Sequence, residues 1–398
     1  MKSGGWSLRA VSQAAFDVKK LNKTIQIRLN GAFCVEYQDK IENLKRNVTE
    51  MLLERDGQSP RTEGQAPSPI WSEALGALDY ALNLSAENFL NIRLHTSWFS
   101  GEHVNNYWHL HPPVDPAEYA KAFGYEFYIE DVPEAYWVGE PAIPGTSIPL
   151  GLNYRGKIIN KPIIRYQRCI SNLYLMEILP QFLEKRDNSV ILEIGAGHGG
   201  FAHALGNILS GKSTYVIIDL PEMLLFSGGF LTVNNPEKKI YVYDKSTFTP
   251  EFLDSGIHDY DYVLVPNYAV KDLYALPEIN LMVNLLSFPE MTAEQLEEYL
   301  RLGQSRLSGY LCSDNMDKHP CSDQLGSETI TDMLDRHFHL FPPPQLYAKP
   351  VSERGWESRF YFGISRNEGG NFPAQGRMRH MIGKEKLMFC FGGQPAPV

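Results

Sequence analysis

Cysteine is scarce and unpatterned in this sequence. The five residues Cys34, Cys169, Cys312, Cys321 and Cys390 are scattered over 398 positions with no C-x-x-C spacing, so neither a disulfide framework nor a zinc site is indicated. Long hydrophobic runs are missing too. No stretch reaches the roughly 18 apolar residues of a membrane span. The N-terminus, MKSGGWSLRA, lacks the apolar centre of a signal peptide. Positive charge is in deficit: 37 Lys plus Arg stand against 47 Asp plus Glu, a formal charge of −10, which weighs against broad binding to a phosphate backbone. Together these absences predict a cytoplasmic protein with no nucleic-acid and no membrane partner.

What the sequence does have is the material of a core. Hydrophobic residues make up 43% and aromatics 12% of the chain. At about 150 residues per domain, the length suggests two to three domains, able to bury about three quarters of the unfolded surface without a metal or disulfide staple.

Three Pro/Gly-rich stretches punctuate the chain: Asp56 to Pro69, Gly139 to Gly151, and a tail from Asn367 to Val398. Before the second stretch the pattern is mostly helical. Ile41 to Glu54 and Trp71 to Leu84 read as amphipathic helices, and Ser85 is a candidate N-cap for another that starts at Ala86. From about Ile163 the rhythm changes. Ile170, Leu173, Tyr174, Ile178 and Phe182 mark one helical face, and short apolar runs follow at 190–194, 215–218, 262–265, 279–283, 310–312 and 360–364. Such runs, alternating with helices, predict a parallel sheet covered on both faces. The expected organisation is therefore a mostly helical substrate or oligomerisation domain over 1–164, an α/β domain over 165–366, and a Gly/Pro-rich tail over 367–398.

The first apolar run leads straight into Gly195-Ala196-Gly197-His198-Gly199-Gly200 and then a helical pattern. Strand, glycine turn and helix N-terminus form a nucleotide-binding corner, because glycine lets backbone and ligand approach closely. The glycines alone fit either G-x-G-x-x-G or G-x-G-x-G. Glu193 decides between them, since a carboxylate there would repel the pyrophosphate of a dinucleotide and favour the sulfonium and ammonium of S-adenosylmethionine. Asp219, 24 residues after Gly195 and at the end of the next apolar run, can accept hydrogen bonds from both ribose hydroxyls.

These residues, Glu193-Ile-Gly-Ala-Gly-His-Gly199 and Tyr-Val-Ile-Ile-Asp219-Leu-Pro-Glu222, resemble the first two motifs of class I S-adenosylmethionine-dependent methyltransferases. More narrowly, Asp219-Leu220-Pro221 with Asn284-Leu-Leu-Ser287-Phe-Pro-Glu290-Met291 is similar to the bacterial sugar O-methyltransferase family. The resemblance covers Tyr166 to Ile364, about half of the chain. It implies a Rossmann-like, seven-stranded methyltransferase sheet with the cofactor at the carboxyl ends of its first strands. Candidate cofactor residues are Tyr166, Glu193, Gly195, Ala196, Gly197, Asp219, Leu220 and Asn284, although Asn284 serves equally well as a strand-end brace. Arg165 can reach the cofactor carboxylate electrostatically.

Methyl transfer to an alcohol needs alignment and a base for the hydroxyl proton. His319, Glu290 and Asp314 are the candidate catalytic residues. His319, Asp314 and Asp317 fall in the dense cluster Asp314-Asn-Met-Asp-Lys-His319, and Asp314 and Asp317 could hold a divalent cation, though their spacing is no metal motif. Glu290 also reads as a helix-dipole carboxylate just outside a helix capped by Thr292 and Gln295. His198 reads as lining the pocket rim. His95, His103, His109 and His111, crowded with Trp98, Tyr107 and Trp108, suit stacking on a sugar-like acceptor better than metal binding. The expected activity is O-methylation of a small sugar-like or natural-product acceptor, the helical part walling the acceptor or forming a homodimer contact. The alternatives are methylation at carbon or nitrogen, or a catalytically silent cofactor-binding subunit.

Overall fold

The computed structural model describes residues 31–57, 66–100, 114–143, 149–185, 188–209, 211, 213–318, 325–344 and 358–366. Its centre is an eight-stranded sheet. The strands are β3 (Ser189–Ile194), β4 (Ser213–Asp219), β5 (Ile240–Val242), β6 (Tyr262–Pro266), β7 (Ile279–Leu285), β8 (Leu307–Met316), β9 (Phe338–Phe341) and β10 (Ser358–Ser365), in the spatial order β5-β6-β4-β3-β7-β8-β10-β9. A separate hairpin, β1 (Leu152–Tyr154) with β2 (Lys157–Ile159), precedes it. All sheet pairings are parallel except those of β10, which runs against both β8 and β9. Every apolar run from 190 onward is a strand, and β3 is buried at all its positions, as a central parallel strand covered on both faces must be. The sheet has one strand more than the resemblance implies, because both β5 and β6 lie outside β4.

The N-terminal helices pack on this sheet as part of one continuous core. Helix Gly31–Gly57 lies on helix Pro221–Asn234, which is buried from Pro221 to Val233 because it is sandwiched between that helix and β6. A Cβ at Gly228 would come within 2.7 Å of Leu44 and 2.8 Å of Leu264, so glycine sets the close spacing of the layers. A buried, bidentate ion pair from Arg55 to Glu222 (2.8 and 2.7 Å) ties the end of the N-terminal helix to the start of that second helix.

Two expected helices are divided. Trp71 to Leu84 is a short helix, Pro69–Ala74, followed by the 3-10 turns Leu75–Ala77 and Asp79–Asn83, with Gly76 at the break. The face from Ile170 to Phe182 belongs to two helices, Lys161–Leu175 and Ile178–Lys185, separated by Glu177 in a left-handed conformation at φ 60°. The caps are found where expected: Ser85 accepts from the Asn88 amide at 3.3 Å, and Thr292 and Gln295 form a reciprocal capping box at the start of helix Ala293–Arg306. No helix among the described residues is long and apolar enough to cross a membrane.

Candidate functional site

β3 lies between β4 and β7, so successive connections leave it in opposite directions and a crevice opens beyond its carboxyl end. A cavity of about 220 Å³ occupies this place. Its floor is the glycine loop. Gly195, Gly197 and Gly199 all have positive φ (69°, 59° and 80°), and a Cβ at Gly195 would overlap the Ser287 side chain, so the loop after β7 packs directly on the loop after β3. The Gly195 amide donates to the Ile218 carbonyl at 2.8 Å, and the Gly197 amide to Asp219 Oδ2 at 3.0 Å, which fixes the loop against β4.

Three carboxylates line the cavity: Glu193 at the end of β3, Asp219 at the end of β4, and Glu290 after β7. Glu193 is buried and its Oε2 accepts from the Tyr215 hydroxyl at 2.8 Å. Burial pushes its pKa up to about 8, Asp219 adding to the rise and the Tyr215 bond opposing it. Burial likewise lifts Asp219 to about 7, against the Leu220 and Gly197 amides that stabilise its charge. Glu290 rises to about 7, again through burial and with a contribution from Asp219, opposed by the Trp71 indole N–H, which donates to its Oε2 at 3.1 Å. Three carboxylates facing one cavity, each carrying a raised pKa, define a site where a cationic ligand relieves desolvation and mutual repulsion.

Of the expected cofactor residues, Tyr166, Glu193, Gly195, Ala196, Gly197, Asp219 and Leu220 line this cavity, together with Arg165 and His198. His198 is buried, and its desolvation, with Arg93 nearby, holds it neutral. Asn284 does not line the cavity. Fully buried, it donates to the Ile194 carbonyl at 2.7 Å and accepts from the Phe288 amide at 3.3 Å, so it braces the ends of β3 and β7, the second of its two expected roles.

Glu290 meets the cavity wall, but Asp314 does not. Asp314 is buried in an ion pair with Arg168, with Arg165 Nε 4.0 Å away, and an arginine-bound carboxylate in the core is not placed to take a substrate proton. Asp314, expected as a catalytic residue, is thus placed away from the cavity lining and in the core beside Arg168. Asp317, expected alongside it as a cation ligand, pairs with Arg359 and Thr331 instead. No group of three or more metal-ligating side chains occurs among the described residues. His95 is a core histidine bonded to the Tyr80 hydroxyl at 3.0 Å and lowered to about 4 by burial. His319, the tail, and His103, Tyr107, Trp108, His109 and His111 lie outside the described residues.

Sequence reasoning missed part of the roof. Ser68, Trp71, Phe99 and Ser100 come from the N-terminal part, and Asn267, Met291, Gln295 and Tyr299 from the α/β part. Phe99 packs edge-on against Phe226 at 5.5 Å, and Arg93 Nη1 donates to Ser100 at 3.1 Å, itself held by a buried pair with Glu140. The signal available was the aromatic density around residue 98, although periodicity could not say which aromatic faced the crevice.

No protein-family model and no curated protein matches the chain. Solved structures do. The precorrin-6y C5,15-methyltransferase of Geobacter metallireducens is 16% identical over 48% of this chain and 88% of its own, with a TM-score of 0.30. An rRNA methylase of Streptococcus thermophilus is 14% identical over 49% of this chain and 96% of its own, with a TM-score of 0.28. The fibrillarin of Aeropyrum pernix, solved with natively bound S-adenosyl-L-methionine, is 13% identical over 48% of this chain and 74% of its own, with a TM-score of 0.28.

Proposed function

We propose that this chain is an S-adenosylmethionine-dependent methyltransferase acting on a hydroxyl of a small, sugar-like acceptor. The observation that carries the reading is the cavity at the carboxyl ends of β3, β4 and β7, where a glycine loop meets three carboxylates. The donor set fits the cofactor. Glu193 offers negative charge to its cationic end, Asp219 offers lone pairs to the ribose hydroxyls while its backbone partners hold it in place, and Leu220 and Met223 supply apolar contact for the adenine. When bound, S-adenosylmethionine supplies a methyl group already activated by its sulfonium.

The rest is done by the chain. The glycine loop admits close approach, and Arg165 and Tyr166 border the end where a carboxylate would lie. Ser68, Trp71, Phe99 and Ser100 wall part of the cavity from the N-terminal side of the chain. Glu290 receives the acceptor's hydroxyl proton on the oxygen that Trp71 does not use, and a pKa of about 7 suits a base at neutral pH. A base of this kind favours oxygen over carbon or nitrogen as the methylated atom.

S-adenosylmethionine raises the melting temperature and NAD does not, if this reading is right; the opposite result assigns the cavity to a dinucleotide. Glu290→Gln keeps an acceptor for the Trp71 N–H and removes the base. It is expected to leave cofactor affinity intact and slow turnover on a hydroxylated acceptor by about a hundredfold or more. Unchanged turnover removes Glu290 from the mechanism.

A further inference from the structure

β3 and β4 are neighbouring strands buried almost throughout, and each carries a titratable side chain inside its buried run. Glu193 is the one ionisable group in Ser-Val-Ile-Leu-Glu-Ile, and Tyr215 is a phenol within the buried run of Ser-Thr-Tyr-Val-Ile-Ile-Asp. In the parallel register Ile191 faces Tyr215 and Glu193 faces Ile217, so Tyr215 and Glu193 stand on the same face of the sheet, one diagonal step apart. The long phenol covers that step, and its hydroxyl donates to Glu193 Oε2 at 2.8 Å. Tyr215 is 1% and Glu193 2% exposed. A buried tyrosine hydroxyl needs a partner and a buried carboxylate needs a donor, and each residue answers the other.

We propose that Tyr215 is a positioning residue of the cofactor site: its hydroxyl pins one oxygen of Glu193 and turns the other toward the cationic end of S-adenosylmethionine. The proposal rests on the cofactor reading above and adds to it a residue that never touches the ligand. Tyr215 does not line the cavity. Its ring leans on Tyr262 of β6, at 6.1 Å between centroids. The other titratable groups that bear on the pair are Asp219 at the end of β4, Tyr262 on β6, and Tyr166 and Cys169 on helix Lys161–Leu175. The Tyr215 hydroxyl itself keeps its proton, because burial and the Glu193 charge raise its pKa well above 10.0, so it donates throughout the neutral range.

Binding of S-adenosylmethionine, followed by calorimetry from pH 6 to 9 without acceptor, tests the assignment. Tyr215→Phe is expected to weaken binding about tenfold at pH 7 and to move the pH midpoint of affinity up by about one unit, since losing the bond makes Glu193 harder to ionise. In a Glu193→Gln background the same change is expected to alter affinity by less than about twofold and to leave the remaining Asp219 midpoint unmoved. An equal loss at every pH, or a loss that persists beside Glu193→Gln, reduces Tyr215 to a core residue and overturns the proposal. 3-Fluorotyrosine at position 215 keeps the shape and sharpens the donor, so it should move the midpoint down even if the phenylalanine variant fails to fold; an unmoved midpoint also overturns it. A wild-type chain that binds no S-adenosylmethionine at any pH refutes the cofactor reading first, and the proposal with it.

Discussion

Acidification should loosen the grip of this cavity on the proposed cofactor, and the size of the effect follows from two carboxylates. Glu193, raised to about 8, and Asp219, raised to about 7, must both be ionised to meet a cationic ligand and its ribose. At pH 8.5 about three quarters of Glu193 and nearly all of Asp219 carry charge; at pH 6.5 about 3% and about a quarter do. The product falls about a hundredfold, which at 1.36 kcal/mol per tenfold is about 2.7 kcal/mol of binding free energy lost across two pH units. Calorimetry with S-adenosylmethionine reads this directly. Repeated in buffers of different ionisation enthalpy, it should also show about 1.4 protons released on binding at pH 7, about 0.9 from Glu193 and about 0.5 from Asp219. Glu193→Gln should flatten the upper part of the profile and reduce the release to the Asp219 share. Affinity that stays constant from pH 8.5 to 6.5, or binding without proton release, would refute the placing of the ligand's charge between these two groups.

The same groups make a prediction for the ligand-free protein. Between pH 7 and 8 the folded state holds protons on Glu193, Asp219 and Glu290 that the unfolded chain, with ordinary carboxyls near 4, has already released, so stability falls as pH rises. The melting temperature should drop from pH 7 to 8 and recover with saturating S-adenosylmethionine; a rise over that interval contradicts it. Below about 6.5 the buried, neutral His95 and His198 work the other way, since only the unfolded chain protonates them readily. Gly195→Ala should cost about 1–3 kcal/mol in denaturant unfolding, through its left-handed φ and the overlap with Ser287, and should abolish cofactor binding. Wild-type stability and affinity in that variant would show that the loop has room the geometry denies.

The strand pattern was legible because parallel strands covered on both faces are apolar at every position, which is visible at 190–194 or 262–265 without knowing the neighbours. Where that rule lapses the sequence fell silent. β5 is only three residues, and β9 follows helix Ile330–His337 without a turn and carries exposed His339 in its middle. The same contrast runs through the site. Glu193 and Asp219 lie in their strands and Gly195 and Gly197 just beyond, so their place was set by local order, whereas Trp71 reaches Glu290 across 219 residues of separation. Asp314 shows the opposite failure: its cluster looked reactive in sequence, yet Arg168, 146 residues away, takes its charge.

Local order therefore specifies the glycine-loop side of the cavity, and tertiary packing specifies the walls that the N-terminal part adds. Part of the roof arrives with the N-terminal part, which is held on helix Pro221–Asn234: Leu44 and Leu264 both pack close to Gly228, and Arg55 pairs with Glu222, three residues beyond Asp219. Removing that arginine charge would leave the buried Glu222 carboxylate uncompensated, and its charge already acts to raise the Asp219 pKa. The helical N-terminal part and the glycine loop thus act on one ligand site from opposite sides, and the acidic balance of the chain has its sharpest consequence where three of its carboxylates share a single cavity.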